Sequence, residues 1–214
     1  MNRRDALQRL GALGLLAAPA GLALAQQTGK GRYLVLDPPV ASDTPGKIEV
    51  VEFFYYGCPH CREFDPTLRE WLKKLPADVV FNRVPATWGG SNSRRVGEAR
   101  LYYALLALKL VDRLHEKVFV AIQDERLDPR DSDEVGEWAS KQGVDAKAFV
   151  GAFKSFGVET QVRRAGQLDT MYKIDGVPTM AVGGRYVTSA SLLGGSHQET
   201  LKEVDLLIAK VRNG

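Results

Sequence analysis

The chain has 214 residues, 44% hydrophobic and 26% charged, with a formal net charge of +3. That length and apolar content suit one sizeable core with an inserted subdomain, and no repeat or low-complexity segment interrupts it. Three arginines and one aspartate fall within residues 1–25, so the rest carries only +1, and no basic cluster interleaved with aromatics gives it the footprint of a nucleic-acid binder.

Arg3, Arg4 and Arg9 precede a Leu/Ala/Gly stretch that closes on Ala23-Leu24-Ala25, the pattern of an export signal cleaved after Ala25. Pro19 breaks the apolar stretch, which is shorter than the ~20 residues a membrane span needs. The Arg3-Arg4 pair leaves both the general secretory and the twin-arginine routes open. The mature protein is therefore expected in an extracytoplasmic space, where disulfides persist.

Residues 33–36 alternate and run into Pro38-Pro39, which predicts a short edge strand. Residues 48–56 are apolar at nearly every position and interrupted by one acid, Glu52, as in a central strand buried on both faces. Gly57 ends that strand and Pro59 opens a helix, because proline suits a first turn where its missing N–H has no partner. Phe64, Leu68, Trp71, Leu72 and Leu75 continue the helix toward residue 75, with Pro66 inside it.

Residues 79–84 predict a second strand, followed by a loop over 85–93. Val96, Ala99, Tyr102, Leu106, Leu110 and Leu114 then share one face of a single long helix. Helical patches over 116–122, 134–142 and 147–156 precede a longer helix through Val162, Ala165, Leu168 and Tyr172. No strand pattern occurs between residues 90 and 176. Residues 179–182 and 185–188 flank Gly183-Gly184, a two-residue loop suited to a hairpin, and a last helix carries Leu201, Val204, Leu207, Ile208 and Val211.

Both cysteines of the chain lie in one four-residue stretch, Cys58-Pro59-His60-Cys61. A disulfide three residues long closes almost no loop and is poorly placed as a staple, so a redox role is expected over a structural one. At the N-cap or first turn, Cys58 would face unpaired N–H groups and the positive end of the helix dipole, and His60 favours the same thiolate. Cys61, one turn deeper, would be the buried sulfur and Cys58 the accessible one. Zinc is not expected, since only His60 and the distant His115 and His197 could join the pair, and Arg62 stands where a covalent haem site needs histidine.

The run Val50-Val51-Glu52-Phe53-Phe54-Tyr55-Tyr56-Gly57-Cys58-Pro59-His60-Cys61 resembles the active-site strand and helix start of the DsbA family of periplasmic thiol:disulfide oxidoreductases. The resemblance extends over nearly all of the mature chain. It implies an α/β, thioredoxin-like fold with an inserted all-helical domain: residues 26–88 and 166–214 forming the thioredoxin-like part and residues 89–165 the insertion. It further implies that Cys58 is the nucleophile and Cys61 the resolving thiol, that Val177-Pro178 is a cis-proline loop receiving substrate backbone, and that Glu52 is a buried acid beneath the disulfide. Arg83 stands where the family often carries a complementary lysine. A permanent guanidinium there is expected to hold Glu52 ionised and blunt any proton transfer to Cys61. Gly57 departs from relatives that carry an aromatic residue beside the cysteines.

The implied activity is dithiol oxidation of reduced, unfolded secreted proteins, with reoxidation by a DsbB-type, quinone-linked inner-membrane partner and no cofactor beyond the Cys58–Cys61 disulfide. A monomer is expected. A disulfide isomerase or reductant-coupled protein on the same fold, and a non-catalytic module with a structural disulfide, stay open as alternatives.

Overall fold

The computed structural model describes residues 31–88 and 93–214. The expected export signal and the expected junction at residue 89 lie outside the described residues. A five-stranded sheet forms from β1 (Leu34–Val35), β2 (Ile48–Phe54), β3 (Val79–Pro85), β4 (Thr179–Val182) and β5 (Tyr186–Ser189) in the order β1-β5-β4-β2-β3. Only β2 and β3 run parallel. The parallel pair requires a crossover, which α1 (Pro59–Leu72) supplies. Gly183 and Gly184, at φ +60° and +66°, make the β4–β5 hairpin turn, and a Cβ on Gly184 would meet the Val40 carbonyl oxygen at 2.0 Å.

Between β3 and β4 the chain is helical: α2 (Arg94–Ala107), α3 (Val111–Gln123), α4 (Ser132–Lys141), α5 (Ala146–Phe153) and α6 (Phe156–Met171). A final helix, α7 (His197–Asn213), closes the chain. Strand alternation divides the core between the two faces of the sheet. Val50, Met180 and Val182 pack with Phe64 and Leu68 of α1 and Leu201, Val204 and Leu207 of α7. Val51 and Phe53 belong to the larger cluster built with the helical block. Among the described residues, no helix is long and apolar enough to cross a membrane.

The single long helix expected through Leu114 is two helices. Leu110 N–H bonds Leu105 C=O at 2.8 Å and Lys109 N–H bonds Leu106 C=O at 3.1 Å around Lys109 at φ +57°. These are the paired bonds of a Schellman cap, made here with lysine rather than glycine in the left-handed position. α6 runs unbroken through residues 165 and 166, so a division there passes within a helix.

Candidate active site

Cys58 is the N-cap of α1: its backbone is extended (φ −86°, ψ 114°), Pro59 occupies the first helical position, and Cys61 N–H points at Cys58 Sγ from 3.3 Å. The loop after α6 closes over the sulfur from the other side. Val177-Pro178 is a cis peptide, and the Val177 carbonyl lies 3.7 Å from Cys58 Sγ. Two segments 119 residues apart thus enclose one thiol.

That enclosure corrects one expectation. Cys58 is only 4% exposed against 0% for Cys61, so neither is an open surface thiol. The cause is the Val177 loop, which covers what the helix start alone would leave open. The two sulfurs differ instead in electrostatics. The hydrogen bond from the Cys61 side chain is the largest influence lowering Cys58; burial opposes it, and the backbone N–H groups of Cys61 and His60 and the His60 imidazole add to the lowering, to about 7. Burial, with the neighbouring Cys58 and Glu52, drives Cys61 far up. The imidazole of His60 is exposed and pairs with Glu63 at 3.1 Å, so its link to the thiolate is through space.

Beneath the pair, the parallel register places Arg83 of β3 beside Glu52 of β2. Arg83 Nε donates to Glu52 Oε2 at 2.8 Å and Arg83 Nη2 to Asp65 Oδ1 at 2.9 Å. Asp65 also meets Arg69 at 3.0 Å and His115 Nε2 at 3.5 Å, and His115 Nδ1 lies 2.8 Å from the Tyr56 hydroxyl. Burial lowers the His115 pKa, and a neutral imidazole with its proton on Nε2 satisfies both neighbours. The expected Glu52–Arg83 link therefore exists, but it does not hold Glu52 in the ordinary carboxylate range. Burial outweighs Arg83 and, with Asp65 nearby, raises Glu52 to about 7.

The helical block supplies further contacts to the redox turn. Gln123 of α3 donates to the carbonyls of Tyr56 at 2.6 Å and Cys58 at 3.1 Å, and Gly57 N–H donates to Glu98 of α2 at 2.9 Å. A Cβ at position 57 would come within 3.0 Å of Glu98 Oε1, so Gly57 and the buried Glu98 fit as a pair. Sequence reasoning reached Cys58, Pro59, His60, Cys61, Glu52, Val177 and Pro178, which the fold gathers around one turn. It missed Asp65, Glu98, His115 and Gln123, for which spacing offers no signal. Among the described residues, no group of three or more His, Cys, Asp or Glu side chains could hold a metal ion.

These two pKa shifts predict opposed pH dependences for the stability of the reduced protein. Cys58, lowered to about 7, contributes stability that is fully present above the unfolded thiol's pKa and lost as pH falls through 7, a term of about 2 kcal/mol. Glu52, raised to about 7, contributes stability that is full below the unfolded carboxyl's pKa and lost as pH rises through 7. Urea unfolding under reducing conditions should show the rise above pH 7 vanish in Cys58→Ser and the decline between pH 5 and 7 vanish in Glu52→Gln.

Comparisons with known proteins agree with this architecture. Residues 80–204 match the family model of the DSBA-like thioredoxin domain. The thiol:disulfide interchange protein DsbA of Bordetella parapertussis is 48% identical over 205 residues, covering 95% of this chain and 96% of its own. The protein of the same name from Pseudomonas aeruginosa is 40% identical, covering 86% of each chain. A crystal structure of Pseudomonas aeruginosa DsbA superimposes with a TM-score of 0.81 at 39% identity, over 87% of this chain and 95% of that one.

Proposed function

The chain belongs to the DsbA family of thiol:disulfide oxidoreductases, and from that premise we propose that it works as an oxidase, passing its Cys58–Cys61 disulfide to reduced, newly exported proteins. The observation that carries this reading is the placement of Cys58 at the N-cap of α1, where Cys61 N–H points at its sulfur from 3.3 Å and favours the thiolate as leaving group. A client thiolate attacks Cys58 Sγ and forms a mixed disulfide; Cys61 departs with the electron pair and, with its pKa driven up, takes a proton. Glu52, near pKa 7 and interacting with Cys61, is suited to supply that proton. The client's second thiolate then attacks its own sulfur in the mixed disulfide and displaces Cys58 as a thiolate. The client loses two electrons and the pair gains them.

In this reading Pro59 starts the helix whose N-terminus receives the charge, and His60 adds a favourable field to the thiolate. Val177 and Pro178 hold client backbone against the mixed disulfide. The redox group is the protein's own disulfide, with no added cofactor. The protein acts as a monomer in the periplasm after loss of residues 1–25, and a DsbB-type, quinone-linked membrane partner reoxidises it. The family assignment and the N-cap placement support these roles.

The equilibrium of the pair with glutathione, measured across pH, tests the oxidase reading. We expect a potential above about −200 mV at pH 7, on the oxidising side of the glutaredoxins. Because reduction takes up two protons below the Cys58 pKa and one above it, the pH slope should fall from about 59 to about 30 mV per pH step near pH 7. A potential near the roughly −270 mV of thioredoxin would instead favour a reductant-coupled role.

A further inference from the structure

We propose that the cleft between the redox turn and the start of α2 is a second docking site for client polypeptide, that it selects an acidic residue flanking the client cysteine, and that Arg95 recognises it. The inference rests on the oxidase reading and extends it to client choice. The cleft, about 610 Å³, has Tyr55, Gly57 and Pro59 on one wall and Arg94, Arg95 and Gln123 on the other. It adjoins Cys58 through Gly57 and Pro59 and shares no lining residue with the groove at Pro178. A chain held at the cis-proline loop could therefore extend past the mixed disulfide into it.

The charges in the cleft are unequally matched. Arg94 lies 3.5 Å from Glu98, whose other oxygen accepts from Gly57 N–H. Asp124, also on the wall, is paired with Arg62 at 2.8 Å. Arg95 forms no ion pair among the described residues. Its guanidinium is stacked 4.7 Å from the Tyr55 ring centroid and 5.1 Å from that of Trp88, with Nη1 donating to the Trp88 carbonyl at 3.2 Å. Arg95 Nε is buried and has no hydrogen-bond partner. The guanidinium sits in the corner made by these two perpendicular rings, and that contact with the Trp88 hydrogen bond restricts the rotamer freedom that normally weakens arginine as a recognition group. The result is a pre-oriented cation with no direct ion pair among the described residues, sharing with Arg94 the field of the buried Glu98, in the cleft that adjoins the Gly57–Pro59 turn; it is complementary to a carboxylate and repulsive to lysine.

The test uses the oxidised full protein and two dithiol peptides that differ only in carrying Glu or Lys beside the cysteines. Rates of disulfide transfer are divided by each peptide's rate with hydroxyethyl disulfide, an uncharged reference, because a neighbouring charge also changes the peptide's own thiol reactivity. We expect the Glu peptide to react roughly fivefold faster after this correction, the size of a partly exposed ion pair. The preference should collapse toward unity in about 1 M salt, where the screening length is near 3 Å. Arg95→Glu should invert the order, and Arg95→Met, which keeps bulk against Tyr55 without the charge, should bring it to unity; the second variant decides if the first does not fold. Equal corrected rates, or a preference that survives Arg95→Glu, Arg95→Met or high salt, would overturn the inference. Failure of the unaltered protein to oxidise either peptide would overturn the oxidase reading, and the inference with it.

Discussion

Replacing Cys58 by serine should reduce disulfide transfer to a reduced, unfolded protein to the uncatalysed background, whereas Cys61→Ser should keep a reactive thiol and accumulate mixed disulfides. The asymmetry follows from the surroundings of the two sulfurs. Cys58 faces the first N–H groups of α1, so its thiolate is stabilised where it must both receive attack and leave. Cys61 is 0% exposed, and burial opposes its ionisation. With Cys58 gone, the remaining thiol should react with a disulfide reagent more slowly than Cys58 by more than about tenfold at pH 7, because even an unperturbed thiol is mostly protonated there and burial drives Cys61 further up. Equal reactivity of the two single variants would mean that the N-cap does not distinguish the sulfurs.

Arg83→Leu should be the most destabilising change near the site. The guanidinium, 10% exposed, joins Glu52 and Asp65, which sit 2% and 3% exposed on different elements. Its removal leaves two carboxyl groups in a poorly solvated space with one cation fewer. Breaking a buried pair from one side costs about 3–5 kcal/mol. The loss should be largest above pH 7, where Glu52 must carry its charge, and smaller below, where it is protonated. In a chain of this size, 3 kcal/mol corresponds to a fall of about 6–12 °C in melting temperature. Adding Glu52→Leu should recover a large part of that loss, because an apolar pair of similar volume needs no compensation. A thermal melt that leaves Arg83→Leu within about 2 °C of the unaltered protein would mean that the buried network contributes little.

What could be read in the sequence was what short-range chemistry determines. Cys58-Pro59 announces a helix start because a capping residue followed by proline is a local signal. Gly183-Gly184 announces a hairpin for a similar reason. The strand containing Glu52 showed itself by its continuous apolar run. The helix break at Lys109 escaped because lysine in a left-handed cap has no compositional marker. The burial of Cys58 escaped because the resemblance brings the Val177-Pro178 loop to the cysteines without fixing how closely it covers them, and the Val177 carbonyl comes to 3.7 Å. Glu98 and Gln123 lie on helices whose periodicity predicts only which faces are apolar. Their contacts with Gly57, Tyr56 and Cys58 arise when α2 and α3 pack beside the redox turn. The Glu52–Arg83 pair was legible, but the balance between burial and attraction was not. Asp65, brought in by α1, adds a second negative charge beside Glu52 and helps burial keep it near 7.

The most direct test of a helix-stabilised thiolate at Cys58 is the pH dependence of iodoacetamide alkylation of the fully reduced protein, with the label located by peptide mass. The rate should rise with a midpoint near pH 7, and the label should fall on Cys58 alone. A midpoint at or above about 8.5, the value of an unperturbed thiol, or comparable labelling of Cys61, would contradict it.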